Sequence, residues 1–140
     1  MKNERFGSVM ELQHERSNLW RMTDLQIRID EGSSGAHILH LIGPLTLSTL
    51  FGFQDLVRKA EHKNGLILDL SEVPYMDSAG LGSILGAYTS CQSHGQSFAL
   101  ANVSQRVVTL LQVAKVDALV PRFDTVERAE QHLRTNAQSA

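Results

Sequence analysis

The chain contains one cysteine, Cys91, and three prolines in 140 residues. A single thiol excludes an internal disulfide framework and leaves too little sulfur for a thiolate metal cluster. Net charge is only −2 at pH 7, so the basic field that dominates nucleic-acid binding is missing. Long apolar runs are missing too. A membrane-spanning helix needs about 20 predominantly apolar residues, and Gly, Ser, His, Gln or Asn interrupts every candidate stretch. The opening Met1-Lys-Asn-Glu-Arg5 lacks the apolar core of a secretory signal. The expectation is a cytoplasmic chain with no direct membrane insertion and no nucleic-acid partner, a setting that also suits a free thiol.

Charge is absent locally as well. Neither Gly32–Gln54 nor Ser78–Gln105 contains an Asp, Glu, Lys or Arg, although the whole chain is 20% charged. The 42% hydrophobic content and a length within the range of one ordinary domain describe a globular fold.

Residues 1–21 are polar, mixed in charge and weakly patterned, and read as a flexible N-terminal tail. From there Leu25, Ile27 and Ile29 alternate with polar residues, the period of a half-buried strand. Glu31-Gly-Ser-Ser-Gly35 is a turn cluster, and Ala36–Ile42 resumes as a second strand, so the pair forms a hairpin. Gly43-Pro44 breaks it. Leu50, Phe53, Val57 and Ala60 mark one face of a helix, with Ser48 or Thr49 as cap and Asn64-Gly65 as stop. Leu66–Leu70 is a nearly continuous apolar run, as in a strand covered on both faces.

Leu81, Ile84, Leu85 and Tyr88 give the next helical stripe, and Ser97–Ala101 another buried strand. Val107, Leu110, Leu111 and Ala114 form a third helical face behind Ser104 as cap. Ala118–Phe123 is expected as a last strand. Asp124-Thr-Val-Glu127 has capping-box spacing, and Val126, Ala129 and Leu133 face a final helix. The order is β-β-α-β-α-β-α-β-α, an α/β fold with one mixed sheet of four to five strands and four helices. One domain over 22–134 and a C-terminal tail at 135–140 follow.

The chemistry concentrates where the Leu66–Leu70 strand passes through a loop containing Pro74 into Asp77-Ser-Ala-Gly-Leu-Gly82. Ser78 reads in two compatible ways there. It is a helix N-cap, alone or with Asp77, or a phosphoacceptor at a helix N-terminus, where unpaired N–H groups and the dipole favour an anion. Gly80 and Gly82 in one turn are costly inside a helix and imply that another chain element or a partner approaches closely.

That six-residue stretch, with its preceding strand, resembles the signature of STAS domains, and more closely that of bacterial anti-sigma factor antagonists, over roughly Met22 to Leu133. The resemblance implies a regulatory binding module and no enzyme. The unmodified antagonist would bind an anti-sigma factor that is itself a serine kinase, releasing a sigma factor. Phosphorylation of Ser78 would switch binding off, and a PP2C-type phosphatase would reset it. It places the binding surface on the loop carrying Gly43, Pro44, Leu45 and Thr46 and on the helix start, Asp77, Ser78, Ala79, Gly80, Leu81 and Gly82. One position departs: relatives commonly carry Asp in a Gly-x-Leu-Asp loop, and this chain has Thr46. The alternative within the family is a non-switching scaffold subunit of a transporter or a stress-signalling assembly.

Other chemistries fit less well. Ser78 lies between Asp77 and Ala79, without the Gly-x-Ser-x-Gly elbow of a hydrolase. Gly80-x-Gly82-x-x-x-Gly86 has the wrong spacing for a dinucleotide loop, and no Walker A sequence exists. No cofactor is implied. His37 and His40, three apart on a strand, point to opposite faces and lack companion metal ligands. Asp69 is expected to anchor the loop leading to Ser78, and Cys91 to be packed.

Overall fold

The computed structural model describes residues 24–59 and 63–139; the expected tail at 1–21 lies outside them. Five strands form one sheet in the order β1-β2-β3-β4-β5. They are β1 (Gln26–Glu31), β2 (His37–Ile42), β3 (Leu66–Glu72), β4 (Phe98–Ala101) and β5 (Arg122–Phe123). The four helices are α1 (Leu50–Lys59), α2 (Ser78–Ser93), α3 (Gln105–Val113) and α4 (Val126–Ser139). β1 and β2 pair antiparallel, and every later pairing is parallel. The turn Gly32–Gly35 closes the hairpin, with Gly35 at φ 85°, a conformation glycine adopts without strain.

Strand alternation sorts the core into two layers. Leu66, Leu68 and Leu70 of β3 join Leu39, Leu41 and Leu100 against Phe53 of α1, Ile84 of α2 and Leu111 of α3. Ile67 points the other way, with Ile38, Ala99 and Ala101, and meets Ala129 and Leu133 of α4. Alanines at 99, 101 and 129 bring α4 close to the sheet. β3 is therefore covered on both faces, as its nearly continuous apolar run requires. Three successive parallel crossovers place α1, α2 and α3 together on one side.

Several boundaries differ from expectation. The last strand covers only Arg122–Phe123, not Ala118–Phe123, because the preceding residues turn: Leu119 donates its N–H to the Val116 carbonyl at 3.0 Å. α4 continues to Ser139, through most of the stretch expected as a C-terminal tail. Its cap is Thr125, whose hydroxyl accepts from the Arg128 N–H at 3.1 Å, one residue later than the capping box suggested. Neither Ser48 nor Thr49 caps α1 forward with its side chain. The Thr49 hydroxyl reaches back instead, accepting from the Thr46 N–H and donating to the Pro44 carbonyl, both at 2.9 Å.

Candidate functional site

The carboxyl ends of β2 and β3 feed two loops that meet. In α/β sheets this edge is where ligands and partners are commonly received. The Gly43 N–H donates to the Glu72 carbonyl at 2.9 Å, the Leu45 N–H to the Tyr75 carbonyl at 3.2 Å, and the Asp77 N–H to the Leu45 carbonyl at 3.3 Å. Leu45 and Met76 form an isolated parallel bridge. Together these bonds carry the β2–β3 pairing beyond the sheet and hold the first loop against the start of α2.

Asp77 locks that junction. Its backbone is extended, and its carboxylate caps α2 by accepting from the Gly80 N–H at 2.8 Å. The other carboxylate oxygen accepts from the Leu47 N–H at 3.2 Å, across 30 residues of sequence. The Gly80 N–H, with that of Leu47, holds the Asp77 carboxyl below its ordinary value against slight desolvation because both donors favour the charged form. The cap is Asp77 by itself, whereas Ser78, expected to cap the helix alone or with Asp77, is the first helical residue.

Ser78 is the first residue of α2 and is exposed. Among the described residues its side chain makes no hydrogen bond. The hydroxyl is neither consumed by capping nor screened by neighbours, and it sits at the positive end of a 16-residue helix.

Pro44, Leu45, Gly80 and Leu81, four of the residues expected to bind a partner, are buried. Gly80 has a steric reason. A Cβ there would lie 2.0 Å from the Leu45 carbonyl oxygen. Gly82 has none, since a Cβ on it would meet nothing within 4 Å. Gly43, at φ 120° and with a would-be Cβ 2.3 Å from the Asp24 carbonyl, sets the path of the first loop. The Thr46 hydroxyl accepts from the Ser48 N–H at 3.3 Å, a local turn contact.

Sequence reasoning missed the apolar rim. Leu47 is 62% exposed and Phe51 66%, one turn apart, and Tyr75 is 45% exposed. Leu47 is bonded to the Asp77 carboxylate through its N–H, and Tyr75 precedes Ser78 on the second loop. Large exposed apolar residues on neighbouring loops mark an interaction surface better than any one of them alone. The only available signal was Leu47 and Phe51 falling outside the Leu50–Phe53–Val57 face.

Asp69 behaves differently from expectation. It does not reach the loop to Ser78. A register shift between β2 and β3 follows His40–Asp69. The Asp69 carboxylate accepts from the Ser71 N–H at 3.1 Å and the Asn102 side-chain amide at 2.9 Å, and lies 2.6 Å from His40 Nδ1. Burial opposes its charge, but the hydrogen bonds from Asn102, His40 and Ser71 outweigh burial and lower its pKa. The other His40 nitrogen lies 3.0 Å from Asp30. His40 thus joins β1 to β3, and no group of three or more His, Cys, Asp or Glu residues suited to a metal occurs among the described residues. Cys91 is buried, and desolvation raises its thiol pKa to about 11.

The profile of the STAS domain family matches residues 28–129, a span running from β1 into α4. The chain belongs to the STAS domain family. A Thermotoga neapolitana protein named as a candidate anti-sigma factor antagonist is 34% identical over 77 residues, 55% of this chain and 66% of that protein. The anti-sigma-B factor antagonist of Listeria monocytogenes is 26% identical over 99 residues, 69% of this chain and 87% of that protein. Among solved structures, a Thermotoga maritima protein described in similar terms superposes with a TM-score of 0.66 at 24% identity, covering 77% of this chain and 94% of that one. As a STAS domain the chain has the expected strand and helix order, and no described helix is long and apolar enough to cross a membrane.

Proposed function

We propose that this STAS protein is an anti-sigma factor antagonist whose binding surface is the start of α2 together with the loop after β2. The observation that carries the reading is Ser78: an exposed hydroxyl with no hydrogen bond among the described residues, next to the Asp77 clasp, with Leu47 exposed on the loop after β2 and Tyr75 on the loop before α2. The family likeness to named antagonists supports the same role. The unmodified protein binds an anti-sigma factor with serine kinase activity and frees a sigma factor. Phosphorylation of Ser78 ends the complex, and a PP2C-type phosphatase restores it. Ser78 is then a substrate residue; the chain itself performs no catalysis.

The switch needs no refolding. A phosphoserine adds about −1.5 to −2 charges at pH 7. The helix dipole favours an anion at this end by only about 0.3–1 kcal/mol when exposed. The Asp77 carboxylate stands next to it, already committed to two N–H donors. A unit-charge interaction at 4 Å is worth about 1 kcal/mol in water and about 4 kcal/mol at an effective dielectric of 20. Closing an interface over the added charge moves it toward the second regime. Since about 1.4 kcal/mol is tenfold in affinity, the modification weakens binding by one to three decades.

Thr46, at the position where relatives commonly carry Asp, removes a carboxylate from the rim. Recognition then rests on the apolar residues and the α2 start. The test is phosphorylation by a cognate anti-sigma factor with serine kinase activity. Mass spectrometry should find one phosphate, on Ser78, and none on the Ser78→Ala variant; phosphate on Thr46 or Ser48 instead would sink the proposal.

A further inference from the structure

His40 sits in β2 with a carboxylate on each ring nitrogen. Nδ1 lies 2.6 Å from the Asp69 carboxylate of β3, and Nε2 lies 3.0 Å from the Asp30 carboxylate of β1. The imidazole is 16% exposed and the Asp69 side chain 11%, against 41% for Asp30. An ionised carboxylate only accepts hydrogen bonds, and a neutral imidazole carries a single N–H. Two such contacts at once need both nitrogens protonated, so this geometry is that of the imidazolium.

The surroundings suit a positive ring. One cavity of about 590 Å³ is lined by His40 together with Asp30 and Glu31 of β1, Asp69 of β3, and Glu127 and Glu130 of α4, and no Lys or Arg lines it. Asn102, beyond β4, adds only an amide, which donates to Asp69 at 2.9 Å. Glu130 is engaged elsewhere, accepting from the Ser34 N–H and hydroxyl, both at 3.2 Å. Arg28 pairs with His40 in the β1–β2 register and brings its Nε to 3.8 Å from the same Asp30 oxygen.

We infer that His40 is a proton-operated latch on the edge strand β1. Charged, it ties Asp30 to Asp69 across β2. As pH rises, one proton passes from the ring to solvent. Nδ1 keeps its hydrogen, because its bond to Asp69 is the shorter and the better shielded of the two. Nε2 then turns a bare lone pair toward the Asp30 carboxylate. The tie to β1 is lost while the tie to β3 stays, and Asp30 has Arg28 to turn to. β1 is the outermost strand of the sheet, paired to β2, so a side-chain tie reaching past β2 bears directly on how firmly it is held. The latch is closed below the His40 titration and open above it, provided both carboxylates are ionised. Against its burial, hydrogen bonds from Asn102, His40 and Ser71 hold the Asp69 carboxyl below its ordinary value, which keeps that half of the latch intact into mild acid.

The test is a pH titration of isotope-labelled protein from about pH 5 to about pH 9, spanning the range in which histidine ordinarily titrates. Imidazole proton–nitrogen spectra, with His40 assigned by its loss in His40→Gln, should show both nitrogens protonated at the acid end and Nδ1–H alone at the alkaline end. Protection of the β1 amides against hydrogen exchange should fall roughly two- to tenfold across that step, the worth of one net hydrogen bond, while the β3 and β4 amides keep theirs. Asp30→Asn, at a side chain 41% exposed, should move the step to lower pH by about one unit, the low end for a neighbouring opposite charge. The same variant should abolish the change in β1 protection. A ring that keeps one protonation state throughout, a neutral ring protonated on Nε2, or β1 protection that ignores the step would overturn the inference.

Discussion

Gly80 and Leu45 touch so closely that a side chain on the first is impossible without moving the second: a Cβ at Gly80 would lie 2.0 Å from the Leu45 carbonyl oxygen. That carbonyl also accepts the Asp77 N–H at 3.3 Å. The same approach that forbids a methyl group therefore seats the helix carrying Ser78.

Glycine substitutions along α2 should separate accordingly. Gly82→Ala, with open space around it, should stabilise the protein by about 0.5–1 kcal/mol through helix propensity. Gly80→Ala should destabilise it by roughly 1–3 kcal/mol, as overpacking does, and shift the amide resonances of Leu45 and Asp77. Urea titration of the two variants gives opposite signs if the contact is as described.

Asp77 holds α2 and Leu47 at once, so its loss should cost more than a simple cap. Asp77→Ala should destabilise by the roughly 0.5–2 kcal/mol typical of an N-cap and also loosen the loop. Hydrogen exchange of the Leu47 amide reads the second effect separately. A protected Leu47 amide in Asp77→Ala would show that the loop does not depend on this carboxylate.

Asp69 sets a pH dependence of definite sign. Its native pKa is lowered by hydrogen bonds from Asn102, His40 and Ser71 that outweigh burial. A depressed native carboxyl contributes stability that is present above its unfolded value, about 3.9, and is lost as pH falls through the native value. Asp69→Asn should cost about 1.5–3 kcal/mol near neutrality, the range for hydrogen bonds to charged groups. The gap between wild type and variant should narrow on acidification below the unfolded value. Urea midpoints at stepped pH test this, and a gap that widens in acid would contradict the assignment.

The helix faces and strands were legible because they are local. Leu50–Phe53–Val57 and Leu81–Ile84 repeat at helical spacing, and Leu66–Leu70 is apolar except at Asp69 because α4 covers its second face. The Asp77-Ser78 junction was legible as a motif. What connects it to the first loop was not, since the Leu47–Asp77 bond spans 30 residues and sequence periodicity carries no such information. The fate of Asp69 was hidden for the same reason: His40 and Asn102 reach it only once β2, β3 and β4 lie side by side. The α4 cap shifted by one residue because Thr125 and Asp124 are both good caps, and local sequence does not rank them.

Cys91 should be silent in the native state. It is 2% exposed, and burial raises its thiol to about 11, which leaves little thiolate at pH 8. A thiol reagent such as DTNB should react only at the rate of unfolding, and at once in urea.

The rim residues should dominate partner affinity. Phe51→Ala removes a large side chain that is 66% exposed, so its effect on stability should stay within about 0.5 kcal/mol, as for a surface position. Its effect on binding to the cognate anti-sigma factor should exceed about 1 kcal/mol, as for an interface anchor. Phe51→Ala that binds like wild type would move the interface away from this rim.

The most direct measurement is titration calorimetry of the cognate anti-sigma factor with three forms of the protein: unmodified, Ser78→Ala and phosphorylated on Ser78. The expected result is similar tight binding for the first two and a loss of one to three decades for the third, as the added charge of about −2 requires. Equal affinity for all three forms would contradict the assignment of Ser78 as the switch.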